Sequence, residues 1–182
     1  RTDASFTQSK FSIPIGAYID IEQIFKLLKS DAMKTVNALE FCGTIDEPLT
    51  HPNFLELLEG IDKHYTVYVH TNGGLRTPTY FDKLANILNQ FNEYDMLFSL
   101  DGLEDTNQLY RQKVSWYKCI QNAQAFINAG GNATWQFIVF PWNKHQVEEA
   151  KRYAKQLEFK KFVVRHDRSF IKDWPIEKVN RQ

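Results

Sequence analysis

Apolar positions along the chain switch repeatedly between two periods. Behind Asp20, the residues Ile21, Ile24, Phe25 and Leu28 recur at i, i+3, i+4 and i+7, which predicts a capped amphipathic helix. Residues 36–42 read as a buried strand that ends at Gly43. Pro52 suits a first helical turn, and Phe54, Leu57, Leu58 and Ile61 form the next helical stripe. The β-branched and aromatic run 65–70 predicts a strand, broken by Asn72-Gly73-Gly74. A helix over 79–91 turns Leu84, Ile87, Leu88 and Phe91 inward, and a strand over 95–100 closes at Asp101-Gly102. Trp116, Ile120, Ala123 and Ile127 mark a further helix, stopped by Gly130-Gly131. A strand over 134–140 runs to Pro141, Val147, Ala150, Ala154 and Leu157 mark a fifth helix, and 162–165 is the last strand. Residues 1–18 are an irregular lead-in, and 169–182 are a polar tail with Trp174 and Ile176.

Helices and strands therefore alternate throughout, the pattern of an α/β chain with a parallel sheet and right-handed crossovers. Two architectures satisfy it: a curled βα barrel, full or partial, and an open doubly wound sheet. The length of 182 residues fits one domain spanning 1–182.

Composition narrows the partners. Lysine plus arginine equals aspartate plus glutamate, 22 of each, so no surface dedicated to nucleic acid or anionic membrane is expected. No apolar run is long enough to cross a bilayer, and the start does not resemble a signal peptide. Cys42 and Cys119 are far apart in sequence, which suggests reduced thiols and a cytoplasmic protein rather than a disulfide scaffold.

In parallel α/β folds, sites form at the carboxyl ends of strands. Here those ends carry Cys42 to Pro48, His70 to Gly74, Ser99 to Gly102, Gln136 with Asn143, and Arg165 to Arg168. Each has an ordinary explanation, since Asn-Gly and Asp-Gly are common turn formers. Their recurrence on successive strand ends instead points to a small polar ligand held by a few oriented donors and acceptors.

These segments resemble the radical S-adenosylmethionine (AdoMet) enzymes. Leu39-Glu40-Phe41-Cys42-Gly43-Thr44-Ile45-Asp46-Glu47-Pro48-Leu49-Thr50-His51-Pro52 is similar to that family's second strand and its Gly-Gly-Glu-Pro turn. His70-Thr71-Asn72-Gly73 resembles its third-strand Thr-Asn-Gly, and Phe98-Ser99-Leu100-Asp101-Gly102 with downstream Tyr110-Arg111 resembles its fourth strand. Gln136 to Val139 followed by Asn143 fits its fifth. The resemblance spans about 36–165 and implies a partial (βα)6 TIM-like barrel, AdoMet, a [4Fe–4S] cluster, a 5′-deoxyadenosyl radical, an electron donor, and a small-molecule or peptide substrate.

The same resemblance assigns roles. Glu47 would hold the AdoMet ammonium and Arg111 its carboxylate. Ser99 and Asn72 would bond carboxylate or ribose hydroxyls, Gln136 would reach ribose or substrate, and Val164 would pack on the adenine. Arg165 and His166 would meet substrate at the open end. Two departures stand out. Ile45 and Asp46 replace the family's two glycines, and the CxxxCxxC cluster loop is missing. Cys42 reads as a small buried hydrophobe and Cys119 as a structural helix residue, neither a cluster ligand. The first strand and its cysteines are expected upstream of Arg1. That leaves an edge on the 36–42 strand, expected to be covered by residues 1–18, by a partner chain or by disorder nearby.

Two other classes remain open at this level. One is a non-catalytic ligand-binding barrel remnant or scaffold module. The other is an α/β transferase with Asp101 as a metal-proximal acid, beside Glu104 and Asp105. The chain has no GxGxxG, no Walker lysine loop and no GxSxG elbow.

Overall fold

The computed structural model describes residues 18–43 and 47–166. It falls into two compact units, Arg1–Thr35 and Val36–Gln182. In the first, helix α1 (Ile21–Leu28) is capped by Asp20, whose Oδ1 accepts the Glu22 N–H at 3.0 Å.

The second unit contains β1 (Ala38–Phe41), α2 (Phe54–Gly60), β2 (Thr66–Thr71), α3 (Pro78–Leu88), β3 (Tyr94–Ser99), α4 (Asn107–Tyr110), α5 (Trp116–Asn128), β4 (Ala133–Val139), α6 (Val147–Gln156) and β5 (Lys161–His166). The five strands are parallel and lie in the order β1-β2-β3-β4-β5. This order decides between the two architectures. A doubly wound sheet reverses direction at a switch point, whereas a barrel steps each new strand to the same side. The chain forms the partial, unclosed TIM-like barrel.

Register gives each face its chemistry. Phe41, Val69, Met96 and Ala133 lie in one row across the sheet, on the face where Val67, Phe98, Trp135 and Phe137 are also buried. The core sits there. Trp135 is fully buried and packs on Trp116, Tyr153, Phe159 and Phe162 at centroid distances of 5.3–6.3 Å. Its indole N–H donates to the Leu100 carbonyl at 2.8 Å, which meets the polar demand of a buried Trp. The other face carries Glu40, Tyr68, His70, Asp95, Leu97, Ser99, Gln136 and Val163. It is far more polar than the interior of a filled barrel. His70 Nε2 lies 3.1 Å from Glu40 Oε1 on this face.

Pro52, expected in a first helical turn, lies before Asn53, the residue that precedes α2. Thr77 and Ser115 cap α3 and α5 through their hydroxyls, and Pro78 occupies the first turn of α3. Helix α4 was not predicted. The cover expected for the outer edge of β1 rests on residues outside the described set, as do Ile45, Asp46 and the polar tail.

Candidate functional site

Parallel strands bring all their carboxyl ends to one rim. After β1, Glu47 stands in extended backbone at the start of the 3-10 turn Pro48–Thr50. Its Oε2 accepts the Asn72 N–H at 2.9 Å, which ties the β1 loop to the end of β2. Its Oε1 is buried and has no hydrogen-bond partner among the described residues. Burial holds the Glu47 carboxyl above the usual range; the Asn72 N–H, the Thr71 hydroxyl, the Leu49 N–H and the Arg111 guanidinium oppose the rise. An acceptor buried without a donor is costly. It is the arrangement a bound cation would complete.

The turn after β2 is tightly held. The Thr71 hydroxyl accepts the Gly73 N–H at 3.0 Å, and Asn72 Oδ1 accepts the Gly74 N–H at 2.8 Å. Asn122 on α5 donates to the carbonyls of Gly73 and Leu75, at 2.8 and 2.9 Å. Arg76 donates to the carbonyls of Leu49, Thr50 and His51 at 2.6–3.3 Å, clamping the loop that carries Glu47. Asn72 is thus engaged through both its N–H and its side chain.

Past β3, the buried Asp101 is a hub. Its Oδ2 accepts Arg111 Nε at 2.7 Å and its Oδ1 accepts the Ile138 N–H at 2.7 Å. Its own N–H donates to Asn107 Oδ1 at 2.8 Å, and its carbonyl accepts Asn143 Nδ2 at 2.9 Å. Burial raises the Asp101 carboxyl above its usual range, with Arg111 the main opposing influence. Among the described residues, the terminal nitrogens of Arg111 have no hydrogen-bond partner, which leaves them as donors for a ligand. Asp101, not Glu104 or Asp105, is the partner of Arg111. Both Asp101 oxygens are spent on these contacts, and no group of three His, Cys, Asp or Glu among the described residues is placed to hold a metal.

Of the residues singled out from the sequence, the structure joins Glu47 and Asn72 by a hydrogen bond, and Glu47 lies close enough to Arg111 to feel its charge. Ser99 and Gln136 form a second group, opposite each other in register on the polar face. Val164 is not with them. It pairs with Phe137, on the other face, while Val163 pairs with Gln136. Arg165 and His166 are exposed at the end of β5, opposite Ile138 and Val139.

The cysteines divide. Cys119 is buried as expected, and burial pushes its thiol up to about 12. Cys42 is exposed, which corrects the expectation of a buried hydrophobe. It lies just past β1, which ends at Phe41. The residues that sequence reasoning missed are Arg76 and Asn122, whose side chains bond backbone groups far from them in sequence, and Asn107, which accepts the nearby Asp101 N–H. Apart from these, a groove of about 1160 Å³ is lined by Trp116, Tyr117, Glu149 and Tyr153 of α5 and α6 and by Glu104 and Asp105 of the loop after β3, but not by Glu47, Asn72, Ser99, Arg111 or Gln136.

The same architecture occurs in solved structures. Streptococcus suis SuiB bound to precursor peptide SuiA is 16% identical, with a TM-score of 0.68 over 82% of this chain and 33% of that one. Native anSMEcpe with bound AdoMet is 18% identical, with a TM-score of 0.63 over 88% of this chain and 46% of that one. Native anSMEcpe with bound AdoMet and Cp18Cys peptide is 21% identical, with a TM-score of 0.56 over 71% of this chain and 37% of that one. The fold is that of the radical AdoMet enzymes. The chain spans less than half the length of these radical AdoMet proteins. No family model and no curated protein matches its sequence.

Proposed function

We propose that this chain is the AdoMet-binding part of a radical AdoMet enzyme that acts on a peptide. The observation that carries the reading is the pairing of opposite functions at one rim. Glu47 offers a buried acceptor without a donor, and Arg111 offers a guanidinium edge without an acceptor. An α-amino acid zwitterion satisfies both, so the residues present fit the methionine end of AdoMet. Asn72 holds Glu47 in place through its N–H, Asp101 orients Arg111, and Ser99 and Gln136 supply hydroxyl and amide groups for the ribose. Bound AdoMet supplies a carbon-centred radical on one-electron reduction. The peptide substrate class is supported by the peptides held in the SuiB and anSMEcpe structures. Arg165 and His166, exposed at the end of β5, are the residues assigned to it.

A [4Fe–4S] cluster does not fit the two cysteines of this chain. Cys42 is exposed at the end of β1 and Cys119 is buried in α5, whereas a cluster needs several converging thiolates. Cluster ligands and an electron donor would have to come from elsewhere.

Calorimetric titration of the chain with AdoMet tests the binding claim. Saturable binding is expected, weakened at least tenfold in Glu47→Gln; absence of binding, or an unchanged affinity in the variant, removes the assignment. Activity is tested separately, on a protein that joins this chain to a cluster loop and is reconstituted anaerobically. It should form 5′-deoxyadenosine under reductant. AdoMet binding with a loaded cluster and no deoxyadenosine would support a non-catalytic binding module instead.

A further inference from the structure

The groove lined by α5, α6 and the loop after β3 is used by none of the assignments above. Its floor is aromatic. Trp116 keeps 8% of its surface open and packs on Trp135 at 5.8 Å and on Tyr153 at 6.5 Å. Tyr117, the next residue, is 62% exposed, and Tyr153 and Ile120 complete the apolar lining. Exposed apolar surface rimmed by polar groups marks an interaction site.

Charge is unevenly spread along the groove. Helices α5 and α6 follow β3 and β4, so both start at the carboxyl rim of the sheet. At that end the lining carries Glu104, Asp105 and, in the first turn of α6, Glu149. Against these three carboxylates the lining has one cation, Arg152, a turn further along α6. Glu149 has no hydrogen-bond or ion-pair partner among the described residues. The acidic end is also held in shape. Gln146 Oε1 accepts the Leu103 N–H at 3.1 Å and its Nε2 donates to Asp105 Oδ1 at 2.7 Å, which ties the loop after β3 to the start of α6. The Tyr117 hydroxyl donates to the Glu104 carboxylate. A surface fixed in this way costs little ordering entropy when a partner docks on it.

We infer that this groove docks an extended segment of a partner polypeptide that presents a lysine or arginine beside a large apolar side chain. Size favours a peptide over a compact ligand, because about 1160 Å³ exceeds the ~300–1,000 Å³ of small-molecule sites. Charge sets the composition. Three carboxylates against one guanidinium attract a basic segment and repel an acidic one. The tyrosine rings add attraction for a nearby cation, and Trp116 and Ile120 offer apolar surface to the side chain next to it. The cation seats at the rim end, among Glu104, Asp105 and Glu149. The inference is independent of the AdoMet reading, since neither Glu47 nor Arg111 lines the groove.

The test is a titration of the chain with three labelled peptides, followed by fluorescence anisotropy. One alternates lysine and leucine, one glutamate and leucine, and one lysine and serine. The lysine–leucine peptide should bind saturably, and the other two at least about tenfold more weakly, since each lacks one of the two required features. Raising ionic strength from about 0.05 M to about 0.5 M should weaken the lysine–leucine peptide several-fold. Glu149→Lys should weaken that peptide about tenfold and strengthen the glutamate–leucine peptide, a gain that an unfolded variant would not show. Asp82→Lys, which reverses an exposed carboxylate on α3, should change neither affinity. Tyr117→Ala should weaken the lysine–leucine peptide, and Tyr117→Phe should restore most of the loss. Equal binding of the three peptides, no binding of any, or equal effects of Glu149→Lys and Asp82→Lys would overturn the inference.

Discussion

Arg111 donates its Nε to Asp101 Oδ2 at 2.7 Å, and the carboxylate it meets has no exposed surface. The pairing is local in sequence yet serves distant elements, because the other oxygen of Asp101 accepts the Ile138 N–H of β4. Asp101→Asn keeps the shape but can present only one acceptor oxygen to two donors. It should lower unfolding free energy by about 2 kcal/mol, in line with the loss of a charge-assisted bond. It should also weaken AdoMet about tenfold by freeing Arg111. Urea unfolding and calorimetry check the two effects, and a variant with native stability and native affinity would remove Asp101 from the positioning role.

Glu47 makes a pH-dependent prediction. Its folded pKa lies above the ordinary 4.5 because burial penalises the charge. The native state then binds more protons than the unfolded state once pH exceeds about 4.5, so this group costs stability as pH rises through its folded pKa. Glu47→Gln has no such ionisation. Melting temperatures of the two proteins should converge at pH 4 and separate by pH 7, with the variant the more stable. A wild type that gains on the variant with rising pH would contradict the assignment.

The two thiols should report the fold directly. Cys42 is exposed, whereas Cys119 is buried with its thiol pushed up to about 12. Reaction is through the thiolate, so an aromatic disulfide reagent at pH 8 should label one thiol per chain quickly, and Cys42→Ser should abolish that phase. Cys119 should react only in denaturant. Two fast thiols in the native protein would mean that α5 does not pack as described.

Gly102 offers a stability test on the rim. Its φ is +146°, and a Cβ there would lie 2.1 Å from Thr106 Oγ1 and 2.8 Å from the Asn107 amide nitrogen. One of those atoms is backbone and cannot swing aside. Gly102→Ala should cost about 2 kcal/mol or more, through overpacking and strained backbone together. Denaturant unfolding measures it, and a cost below about 0.5 kcal/mol would show that the turn relaxes freely.

The strands and long helices were legible because each carries a periodic apolar pattern, and the structure moves their boundaries by no more than three residues; β1, expected as a buried strand, is instead half-exposed, and neither α1 nor β5 holds a fully buried residue. Helix α4 was not legible, since its four residues carry no stripe long enough to read. Its anchor is Asn107, whose partner is the Asp101 N–H, a contact that no periodicity encodes. Cys42 was misread for a related reason. An apolar neighbourhood in sequence does not say where the strand stops, and Cys42 falls just past the end of β1.

The residues alone determined the alternation of helix and strand, and with it a parallel sheet whose polar loops share one rim. They also supplied the chemistry at that rim: a carboxylate at Glu47, a guanidinium at Arg111 and a turn at Asn72-Gly73-Gly74. Only the tertiary structure decided that the strands run in sequential order as a partial barrel, that Asp101 claims Arg111, and that Val164 faces Phe137. Each of these turns on hydrogen bonds between groups brought together by folding. A shift of one residue in strand register exchanges the two faces completely, and local sequence contains no term that distinguishes them.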